Sequence, residues 1–455
     1  MATTKTKQTI SFAIPKEIVN IIKIFKKNNW QIYIVGGAVR DLIIKRTVQD
    51  WDLATNATPQ DIIDLFPKNS FYNNKFGTVT VVNKKKKIEI TTFRSEAGYS
   101  DKRHPDKVAW GKTIQEDLSR RDFTINAIAM NYAKDKIELI DPFDGQKDLK
   151  KALIRAVKNP EERFSEDALR MLRAIRISSQ LGFTIENKTF TAIKKNASAM
   201  SKISRERVRD ELWKMLQSPF PAEGFIFLKN SQLMPFVIPE LEKTYDVAQA
   251  KHHIYDVWTH SLEALRHCPS KDPLVRLATL LHDIGKPAAA RGTGEERTFH
   301  NHEVIGAAIA RRIAGRLRLS NKEAERLWRL IRWHQFTVNE NQTDKAIRRF
   351  IKNIGKENLA DILDLRIGDR LGGGARRTSW RLELFKKKLA EVQKQPFSIK
   401  DMKVNGKDVM KALSIPPGPR VGQILKLLFT EIEDHKKLNN RRYLLSCIPQ
   451  VAKKI

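Results

Sequence analysis

The run IYIVGGAVRDLI at residues 32–43 contains the residue types of a phosphate-binding turn. An apolar segment precedes the glycine pair Gly36 and Gly37, and a helical pattern follows it. Glycines let the backbone turn tightly and approach a ligand, while the free N–H groups at the start of a helix attract phosphate. Arg40 would add a bidentate donor. A glycine turn before a helix is also common where no ligand binds. This run alone therefore fits either a phosphate-binding turn or an ordinary structural turn.

Asp50 and Asp52, which are separated by one residue, predict a metal site beside that turn. On a strand the two carboxylates would point to the same face and repel each other unless a divalent cation lay between them. Mg²⁺ prefers oxygen ligands and bridges to substrate phosphates, so this pair favours nucleotidyl or phosphoryl transfer assisted by two metal ions. Glu89, flanked by isoleucines, would either supply a third carboxylate from a neighbouring strand or form the polar face of that strand.

Several longer motifs, in the same order, resemble the class II family of tRNA nucleotidyltransferases and bacterial poly(A) polymerases. The head of that family is similar to polymerase-β-type nucleotidyltransferases. The motifs are GGAVRD (36–41), DWD (50–52), RRDFTINA (120–127), DPFDG (141–145), EDALRMLRAIR (166–176) and ERVRDEL (206–212). The resemblance implies that Arg120 and Arg121 bind the triphosphate, and that Asp122 and Asn126 hold that loop or contact the ribose.

The resemblance also assigns base selection to a helix at residues 166–176, through Asp167 and Arg170 with Arg173 and Arg176 nearby. A carboxylate accepts a hydrogen bond from the amino group of cytosine or adenine, and an arginine donates to the adjacent ring acceptor. Uracil and guanine present an oxygen instead, which leaves buried polar groups unpaired and is a strong basis for rejection. The spacing by itself is equally typical of a ladder of ion pairs on a helix surface.

Two further segments distinguish members of this family. Residues 74–81, NKFGTVTV, resemble the tRNA enzymes rather than the poly(A) polymerases, which usually carry a distinctive basic stretch there. Residues 97–108 resemble the flexible loop that is associated with the switch from C to A addition in full CCA-adding enzymes. Enzymes that add only CC tend to lack this loop, so the resemblance favours addition of C, C and A.

Histidines mark a second chemical region, because eight of the ten in the chain lie between His252 and His334. An adjacent histidine and aspartate within an apolar helix are costly unless both are paired or bind metal. The set resembles the HD phosphohydrolase superfamily. Its minimal metal ligands match His260, His282, Asp283 and Asp369, and the two extra ligands of its two-metal versions match His302 and His334. Imidazoles and carboxylates suit a divalent metal, of unknown identity, that activates water against a phosphoester.

Domains of this kind on tRNA nucleotidyltransferases occur with and without activity. Where they are active, they are associated with phosphate removal, such as hydrolysis of a 2′,3′-cyclic phosphate. The resemblance therefore implies a second activity that would repair the tRNA end before nucleotide addition.

The elements that must position these residues change in type along the chain. A helix is predicted at residues 15–28 and strands at 31–35, 78–82 and 88–92, after which the pattern becomes helical. We expect an α/β (α+β) head resembling polymerase β, followed by all-helical domains. The predicted boundaries are 1–147 for the nucleotidyltransferase head, 148–245 for a neck that selects nucleotides and binds RNA, 252–372 for the HD domain and 373–455 for an RNA-binding tail.

The charge of the chain points to a polyanionic partner. Lys and Arg number 84 against 52 Asp and Glu, which leaves a net charge of +32. This is typical of nucleic-acid binding, with an anionic membrane as the second interpretation and a solubility adaptation as the alternative to any partner. Basic residues along the helical body and the tail are candidate phosphate contacts: Arg205, Arg207, Arg209, Arg311, Arg312, Arg316, Arg318, Lys436, Lys437, Arg441 and Arg442. Two cysteines exclude a disulfide scaffold and fit a reducing compartment.

Together these observations predict a cytoplasmic enzyme without a secretory signal or membrane span. The expected activity is Mg²⁺-dependent, template-independent addition of C, C and A from CTP and ATP to the 3′ end of tRNA, with release of pyrophosphate. The alternatives are a poly(A) polymerase, an enzyme that adds only A or only CC, or an RNA-binding protein with inert catalytic relics. The expected partners are tRNA, CTP and ATP, with no membrane and no protein partner implied.

Overall fold

The computed structural model describes residues 13–74, 77–83, 86–97, 107–111, 113–133, 136–249, 254–336, 342–393, 399–432 and 438–455. The chain divides into two compact units. One consists of Met1–Lys243 with Gly315–Leu319, and the other of Thr244–Ala314 with Ser320–Ile455. No helix among the described residues has the length and apolar character needed to cross a membrane.

The first unit begins with alternating helices and strands, as the sequence predicts for an α/β head. Its helices up to residue 150 are α1 (Lys16–Lys27), α2 (Gly37–Ile43), α3 (Pro59–Leu65), α4 (Ile114–Ser119) and α5 (Gly145–Lys150). Its strands there are β1 (Ile32–Val35), β2 (Asp52–Thr55), β3 (Ser70–Asn74), β4 (Thr78–Asn83), β5 (Lys86–Thr92), β6 (Arg94–Ala97), β7 (Lys107–Trp110), β8 (Ala129–Ala133) and β9 (Lys136–Ile140). The predicted first helix and three strands correspond to α1, β1, β4 and β5.

The described strands of this head form a mixed sheet of seven, in the order β3-β4-β5-β2-β1-β8-β9, beside a separate β6–β7 hairpin. Strand β2 is central: it pairs antiparallel with β1 and parallel with β5. Helix α1 has an apolar face formed by Ile18, Ile21, Ile22 and Phe25, all of which are buried. Because burial of such a face is what holds a short helix in place, the sheet and its helices form one core.

The remainder of the first unit is helical, apart from two short parallel strands, β10 (Leu153–Ile154) and β11 (Thr184–Ile185). Its helices are α6 (Pro160–Glu166), α7 (Leu169–Leu181), α8 (Asn187–Asn196), α9 (Arg205–Leu216), α10 (Pro221–Asn230) and α11 (Met234–Val237). The single helix expected at residues 166–176 is therefore wrong. Asp167 has extended backbone angles, φ −141° and ψ 105°, and separates α6 from α7.

Helices also make up the second part of the chain. They are α12 (Val257–His267), α13 (Pro273–Leu281), α14 (Lys286–Ala289), α15 (His302–Arg316), α16 (Asn321–Arg332), α17 (Asp344–Ile354), α18 (Leu359–Gly372), α19 (Trp380–Val392), α20 (Gly406–Leu413), α21 (Pro419–Ile432) and α22 (Arg441–Ala452). The last three share an apolar core that includes Val409, Ile424, Leu428 and Leu444. The mixed-sheet head followed by helical regions confirms the predicted fold class, whereas the four domain boundaries stay a prediction.

Candidate active sites

Gly36 creates the space in which the head's charged groups meet. It has a φ of +70°, and a Cβ added there would lie 3.0 Å from Arg121 Nη1 and 3.3 Å from Asp52 Oδ2. Any other residue would be strained and would press against both groups. The glycine turn therefore has a local reason: it lets a guanidinium and a carboxylate approach the same point at the start of α2.

Sheet register brings Asp52 and Glu89 side by side. They are direct partners across the parallel β2–β5 pair, so both side chains lie on the same face of the sheet. The expectation that Asp50 shares the strand with Asp52 is wrong, because β2 begins at Asp52 and Asp50 lies in the bend before it. Glu89 thus occupies the position expected for a third carboxylate, while Asp50 reaches the site from a loop.

Two of these carboxylates, Asp52 and Glu89, have raised pKa values. Burial raises the pKa of Asp52 against the opposing charge of Arg121, and Asp50 raises it further. Burial also raises the pKa of Glu89, and Asp52 and Asp50 add to that rise. Such an accumulation of negative charge on oxygen donors is what a divalent cation relieves, so the residues fit a metal bound through oxygen.

Asp117 holds both arginines of the second motif, and sequence reasoning missed it. Its buried carboxylate accepts from Arg120 Nη2 at 2.6 Å through one oxygen and from Arg121 Nη2 at 2.9 Å through the other. Burial alone would raise the pKa of Asp117, but the two guanidinium groups outweigh it and lower that pKa. The sequence does contain a signal for this role: Asp117 precedes Arg120 and Arg121 by three and four residues, and side chains at these spacings meet on a helix.

Asp122 connects the head to the helical region. It accepts from Asn126 Nδ2 at 3.1 Å and from Arg173 Nη2 at 2.6 Å, and Asn126 in turn accepts from Arg40 Nη1 at 2.9 Å. Burial alone would raise the pKa of Asp122, but Arg173 and the Asn126 hydrogen bond hold it well below its usual range. Asp122 and Asn126 therefore hold the loop, one of the two roles expected for them.

The break between α6 and α7 changes the partners expected for base selection. Asp167 does not pair with Arg170: its Oδ2 lies 2.7 Å from Arg207 Nη2 on α9. Arg170 instead donates to Glu166 Oε2 at 2.5 Å and to the Arg120 carbonyl at 3.0 Å. The reason is that Asp167 lies outside a helix, so the three-residue spacing does not place it beside Arg170.

Arg173 and Arg176 lie one turn apart on α7, as their spacing predicts. Arg176 Nε lies 2.6 Å from Oε2 of the buried Glu211 on α9, and Arg173 Nη1 lies 4.0 Å from Oε1. Sequence reasoning did not single out Glu211, although it lies within the ERVRDEL motif. This carboxylate adds to the contacts of two arginines that are also held by Asp122 and Gln180.

The predicted head residues line two adjoining cavities. The first, of about 430 Å³, is lined by Gly36, Gly37, Asp52, Glu89, Arg120, Arg121, Asp122, Asn126, Asp167, Arg170, Arg173 and Arg207, among others. The second, of about 840 Å³, is lined by Arg40, Asp50, Asp52, Asn126, Arg173 and Arg176, among others. Gly37, Asp52, Asn126 and Arg173 belong to both. The Asp52 carboxylate and the Arg173 guanidinium therefore both lie where the cavities adjoin.

The predicted loop at residues 97–108 lies mostly outside the described residues. Its two ends, Ala97 and Lys107, pair with each other in the β6–β7 hairpin. The expectation about switching from C to A addition therefore stays a prediction.

Four histidines of the second unit meet in pairs through their Nε2 atoms. Those of His260 and His282 lie 3.1 Å apart, and those of His302 and His334 lie 3.3 Å apart. Backbone carbonyls lie 2.7–2.8 Å from Nδ1 of His282, His302 and His334, which assigns the Nδ1 proton to these three. Their Nε2 lone pairs then converge, an arrangement that needs a cation between them.

Asp283 joins the two histidine pairs. Its Oδ2 lies 3.2 Å from His282 Nε2, and its Oδ1 lies 3.3 Å from His302 Nε2. The candidate ligand atoms form two groups, each within 4.8 Å, namely His260, His282 and Asp283, and Asp283, His302 and His334. Asp369 Oδ1 lies 3.2 Å from His260 Nε2. All six predicted residues are therefore brought together: five form two candidate metal-binding groups that share Asp283, and Asp369 lies beside the first group.

The helix positions of this cluster differ from the expectation in one respect. His282 and Asp283 do not lie inside an apolar helix, because α13 ends at Leu281 and His282 is its C-cap.

Burial alone would lower the pKa of His282, but Asp283 and Asp369 outweigh it and raise the pKa to about 10. Burial lowers the pKa of His334 to about 3. Positive charge is thus favoured on His282 and disfavoured on His334.

A cavity of about 500 Å³ opens onto the cluster and is lined by His282, Asp283, Lys286, His302, His334, Arg366 and Asp369, among others. Lys286 Nζ lies 2.7 Å from Asp283 Oδ2 and donates to Gln249 Oε1 at 2.5 Å. Arg366 Nη1 lies 3.0 Å from Asp369 Oδ2. Two basic side chains therefore flank the candidate metal ligands.

Three family descriptions match successive parts of the chain. Residues 32–155 match the poly A polymerase head domain, residues 182–244 the probable RNA and SrmB-binding site of polymerase A, and residues 251–367 the HD domain.

Similar proteins cover either half or nearly all of the chain. A CCA-adding enzyme of Ligilactobacillus salivarius is 33% identical over 433 residues, which are 94% of this chain and 95% of that protein. A CCA-adding enzyme of Geobacillus kaustophilus is 44% identical over 222 residues, so this match spans about half of each chain, 49% and 54%. The crystal structure of the Bacillus stearothermophilus CCA-adding enzyme in complex with CTP superposes with a TM-score of 0.72 at 29% identity, covering 96% of this chain and 98% of that one.

Proposed function

The chain belongs to the CCA-adding enzyme family, and from that membership we propose that it adds C, C and A to the 3′ end of tRNA from CTP and ATP, releasing pyrophosphate. The observation that carries the proposal is the cavity in which Asp52 and Glu89 face Arg120, Arg121 and Arg170. Carboxylates on one wall and guanidinium groups on the other suit a metal-bound triphosphate.

In this proposal the head positions and neutralises the triphosphate. Mg²⁺ held by Asp50 and Asp52, with Glu89 as a third carboxylate, would offset the charge of the attacking and leaving oxygens when bound. Arg120 and Arg121 bind the phosphates, with Asp117 keeping both guanidinium groups in place. The Gly36–Gly37 backbone lies close to the phosphates because no side chain intervenes.

Base selection depends on groups fixed before the nucleotide arrives. Arg207 orients the Asp167 carboxylate, and Glu166 orients the Arg170 guanidinium. Asp167 accepts from the amino group of cytosine or adenine, and Arg170 donates to the ring acceptor beside it. UTP and GTP are rejected because an oxygen would face the Asp167 carboxylate. Preorganised groups discriminate better, since they cannot turn away from the wrong base.

The HD cluster favours a second function, metal-dependent hydrolysis of a phosphoester. The observation is the convergence of histidine Nε2 atoms on both sides of Asp283. A divalent metal there would activate water when bound. Lys286 and Arg366 bind and orient the phosphate. A 2′,3′-cyclic phosphate at an RNA end is the substrate we propose, and its removal would restore an end that accepts nucleotides.

The proposed setting is cytoplasmic, with tRNA bound along the basic helical regions. The proposed division is a head at 1–147, a neck at 148–245, an HD domain at 252–372 and a tail at 373–455. The RNA-binding description that matches residues 182–244 supports the role of the neck.

The test is to incubate tRNA transcripts that lack the last one, two or three nucleotides with each NTP and with CTP and ATP together. We expect the products to stop after the terminal A and to require a divalent cation. A long A tail would instead indicate a poly(A) polymerase, and addition restricted to A or to CC would indicate a partial enzyme. Absence of any incorporation into RNA would favour an inert RNA-binding protein.

A further inference from the structure

A cavity of about 370 Å³ in the second unit carries aromatic and cationic side chains, and of its residues only Arg366 has a part in the chemistry above. Its walls are Phe336, Arg366, Arg370, Ser379, Trp380, Arg381 and Leu382. Trp380 is 63% exposed, an unusual state for the largest apolar side chain. The Arg381 guanidinium lies 5.2 Å from its ring centroid, and that of Arg366 lies 5.5 Å from the centroid of Phe336.

The chain reversal after α18 places Trp380 beside the arginines of that helix. Arg366 and Arg370 lie one turn apart on α18, and α18 ends at Gly372, where an added Cβ would lie 2.5 Å from the Ala264 backbone N. Gly374 then turns the chain with a φ of +77°. The reversal is therefore tightly packed, and the Ser379 hydroxyl caps α19 so that Trp380 is its first residue.

The floor of the cavity is rigid. Phe336 stacks on Phe385 with a centroid separation of 5.2 Å, and Phe350 packs against both rings. Phe385 and Phe350 are buried, so Phe336 is fixed from behind. An aromatic group held in this way offers a preformed surface to a ligand.

Arg366 connects this cavity to the metal ligands. It lines both cavities, and its Nη1 lies 3.0 Å from Asp369 Oδ2, while Asp369 Oδ1 lies 3.2 Å from His260 Nε2. A phosphate at the proposed metal ligands and a ligand group in the 370 Å³ cavity would thus both lie next to the Arg366 guanidinium. One extended ligand can reach both places.

We propose that this cavity is a docking subsite for single-stranded RNA, in which Trp380 stacks on a base and Arg370 and Arg381 contact the adjoining phosphates while the RNA end lies at the HD metal ligands. The proposal rests on the HD hydrolase function proposed above and names its substrate class as an RNA end rather than a free small phosphoester. Aromatic rings interleaved with arginines are the usual platform for single strands, because every base has a stacking face.

The kinetic test compares two substrates on Trp380→Ala. One is a short RNA ending in a 2′,3′-cyclic phosphate, and the other is bis-p-nitrophenyl phosphate, which is too small to reach the subsite. Loss of one stacked base should lower kcat/KM on the RNA by about tenfold and leave the small ester unaffected. Trp380→Phe should restore most of the loss, since it retains a stacking face.

Trp328→Ala is the matched control. Trp328 carries the Arg311 guanidinium 5.2 Å from its ring, the same separation as at Trp380, but it lines neither cavity. Circular dichroism and melting verify that both alanine variants fold. If Trp380→Ala and the unaltered chain hydrolyse the RNA equally well, the subsite is overturned.

A binding readout separates failure of the subsite from failure of the hydrolase function. RNA carrying 4-thiouridine next to its 3′ end is photo-crosslinked to the full chain, and the tryptic peptide of residues 378–381 is examined by mass spectrometry. A crosslink that Trp380→Ala abolishes supports docking even if neither ester is hydrolysed, in which case only the hydrolase function fails. Absence of a crosslink overturns the subsite and leaves the cavity to another class of partner.

Discussion

Asp167 and Arg207 form an ion pair of 2.7 Å between Oδ2 and Nη2, which ties the residue between α6 and α7 to helix α9. The pair links two motifs that lie 40 residues apart in the chain. A carboxylate held by a neighbouring guanidinium presents its remaining lone pairs in fixed directions. Arg207 is therefore a positioning residue for whatever Asp167 recognises.

We expect Arg207→Ala to loosen nucleotide choice much as Asp167→Ala does. Loss of an oriented base-edge partner should reduce discrimination against UTP by about 1–3 kcal/mol. The measurement is the ratio of kcat/KM for CTP and UTP on a tRNA transcript lacking its last nucleotides. Arg209→Ala, whose side chain pairs with the exposed Asp210 on the same helix, is the control. Unchanged selectivity in Arg207→Ala would remove Asp167 from base recognition.

Replacing either head aspartate should stop nucleotide addition without unfolding the chain. Burial and Asp50 raise the pKa of Asp52, so its charged form is disfavoured and its removal relieves repulsion. We expect Asp52→Asn to lose addition by several orders of magnitude, with an equal or higher melting temperature in the absence of divalent cations. Asp64→Asn on α3 serves as the control. Substantial activity in Asp52→Asn or Asp50→Ala would contradict the two-metal proposal.

Asp117 should give the chain an acid-sensitive component of stability. Because its folded-state pKa is lowered, its ion pairs stabilise the fold above the pKa of the unfolded chain and are lost as the pH falls through the folded value. At neutral pH, Asp117→Asn leaves two arginines without a partner charge, and we expect it to lower the free energy of unfolding by about 3 kcal/mol. This is the lower end of the range for breaking a buried pair, because both guanidinium groups are partly exposed to solvent. Urea titrations at pH 7 and below pH 4 should show a smaller difference at the lower pH.

The two active centres should be separable. The head residues and the HD ligands lie in different units and share no residue. We expect His282→Ala combined with Asp283→Ala to abolish metal-dependent hydrolysis of a cyclic phosphate and to leave CTP and ATP addition largely intact. Both activities are measured on one preparation, with the exposed His267→Ala as the control. Loss of both activities with normal circular dichroism would mean that the centres are coupled.

tRNA binding should weaken steeply with salt. If about six phosphates are neutralised, log affinity should fall against log salt with a slope near −5, at about 0.9 per phosphate. Single replacements of the exposed Arg312, Arg318 or Arg442 should each lower the slope by about 1 if the side chain contacts phosphate. Of the other candidates, Lys436 and Lys437 lie outside the described residues. A slope near zero would mean that the net charge of +32 does not serve tRNA binding.

The residues proposed to contact substrate could be predicted from the sequence better than the residues that hold them in place. Gly36, Asp52 and Arg121 fall in short motifs whose chemistry is readable, and local periodicity suffices for β1 and β5. Asp117 and Glu211 act through pairs with arginines. Helical spacing places Asp117 beside Arg120 and Arg121, but nothing local places Glu211 beside Arg176 on another helix.

The interruption at Asp167 illustrates a second limit. Residues 161–181 contain no glycine or proline, yet the backbone is extended at Asp167, whose Oδ1 accepts from the Leu169 N–H at 3.0 Å at the start of α7 and whose Oδ2 pairs with Arg207. Arg207, which supplies the partner charge, comes 40 residues later. The single helix expected at residues 166–176 was wrong because helical spacing was extended across a residue that is not helical.

The pairing of Asp52 with Glu89 across β2 and β5 makes strand alignment a determinant of chemistry. Slippage of β5 by one residue would send Glu89 to the opposite face and bring an isoleucine beside Asp52. A single-residue insertion between β4 and β5 could therefore yield a chain that still folds and melts cooperatively yet transfers no nucleotide. For this head, thermal stability does not report the ability to transfer a nucleotide, so variants have to be screened by measuring the extended RNA product.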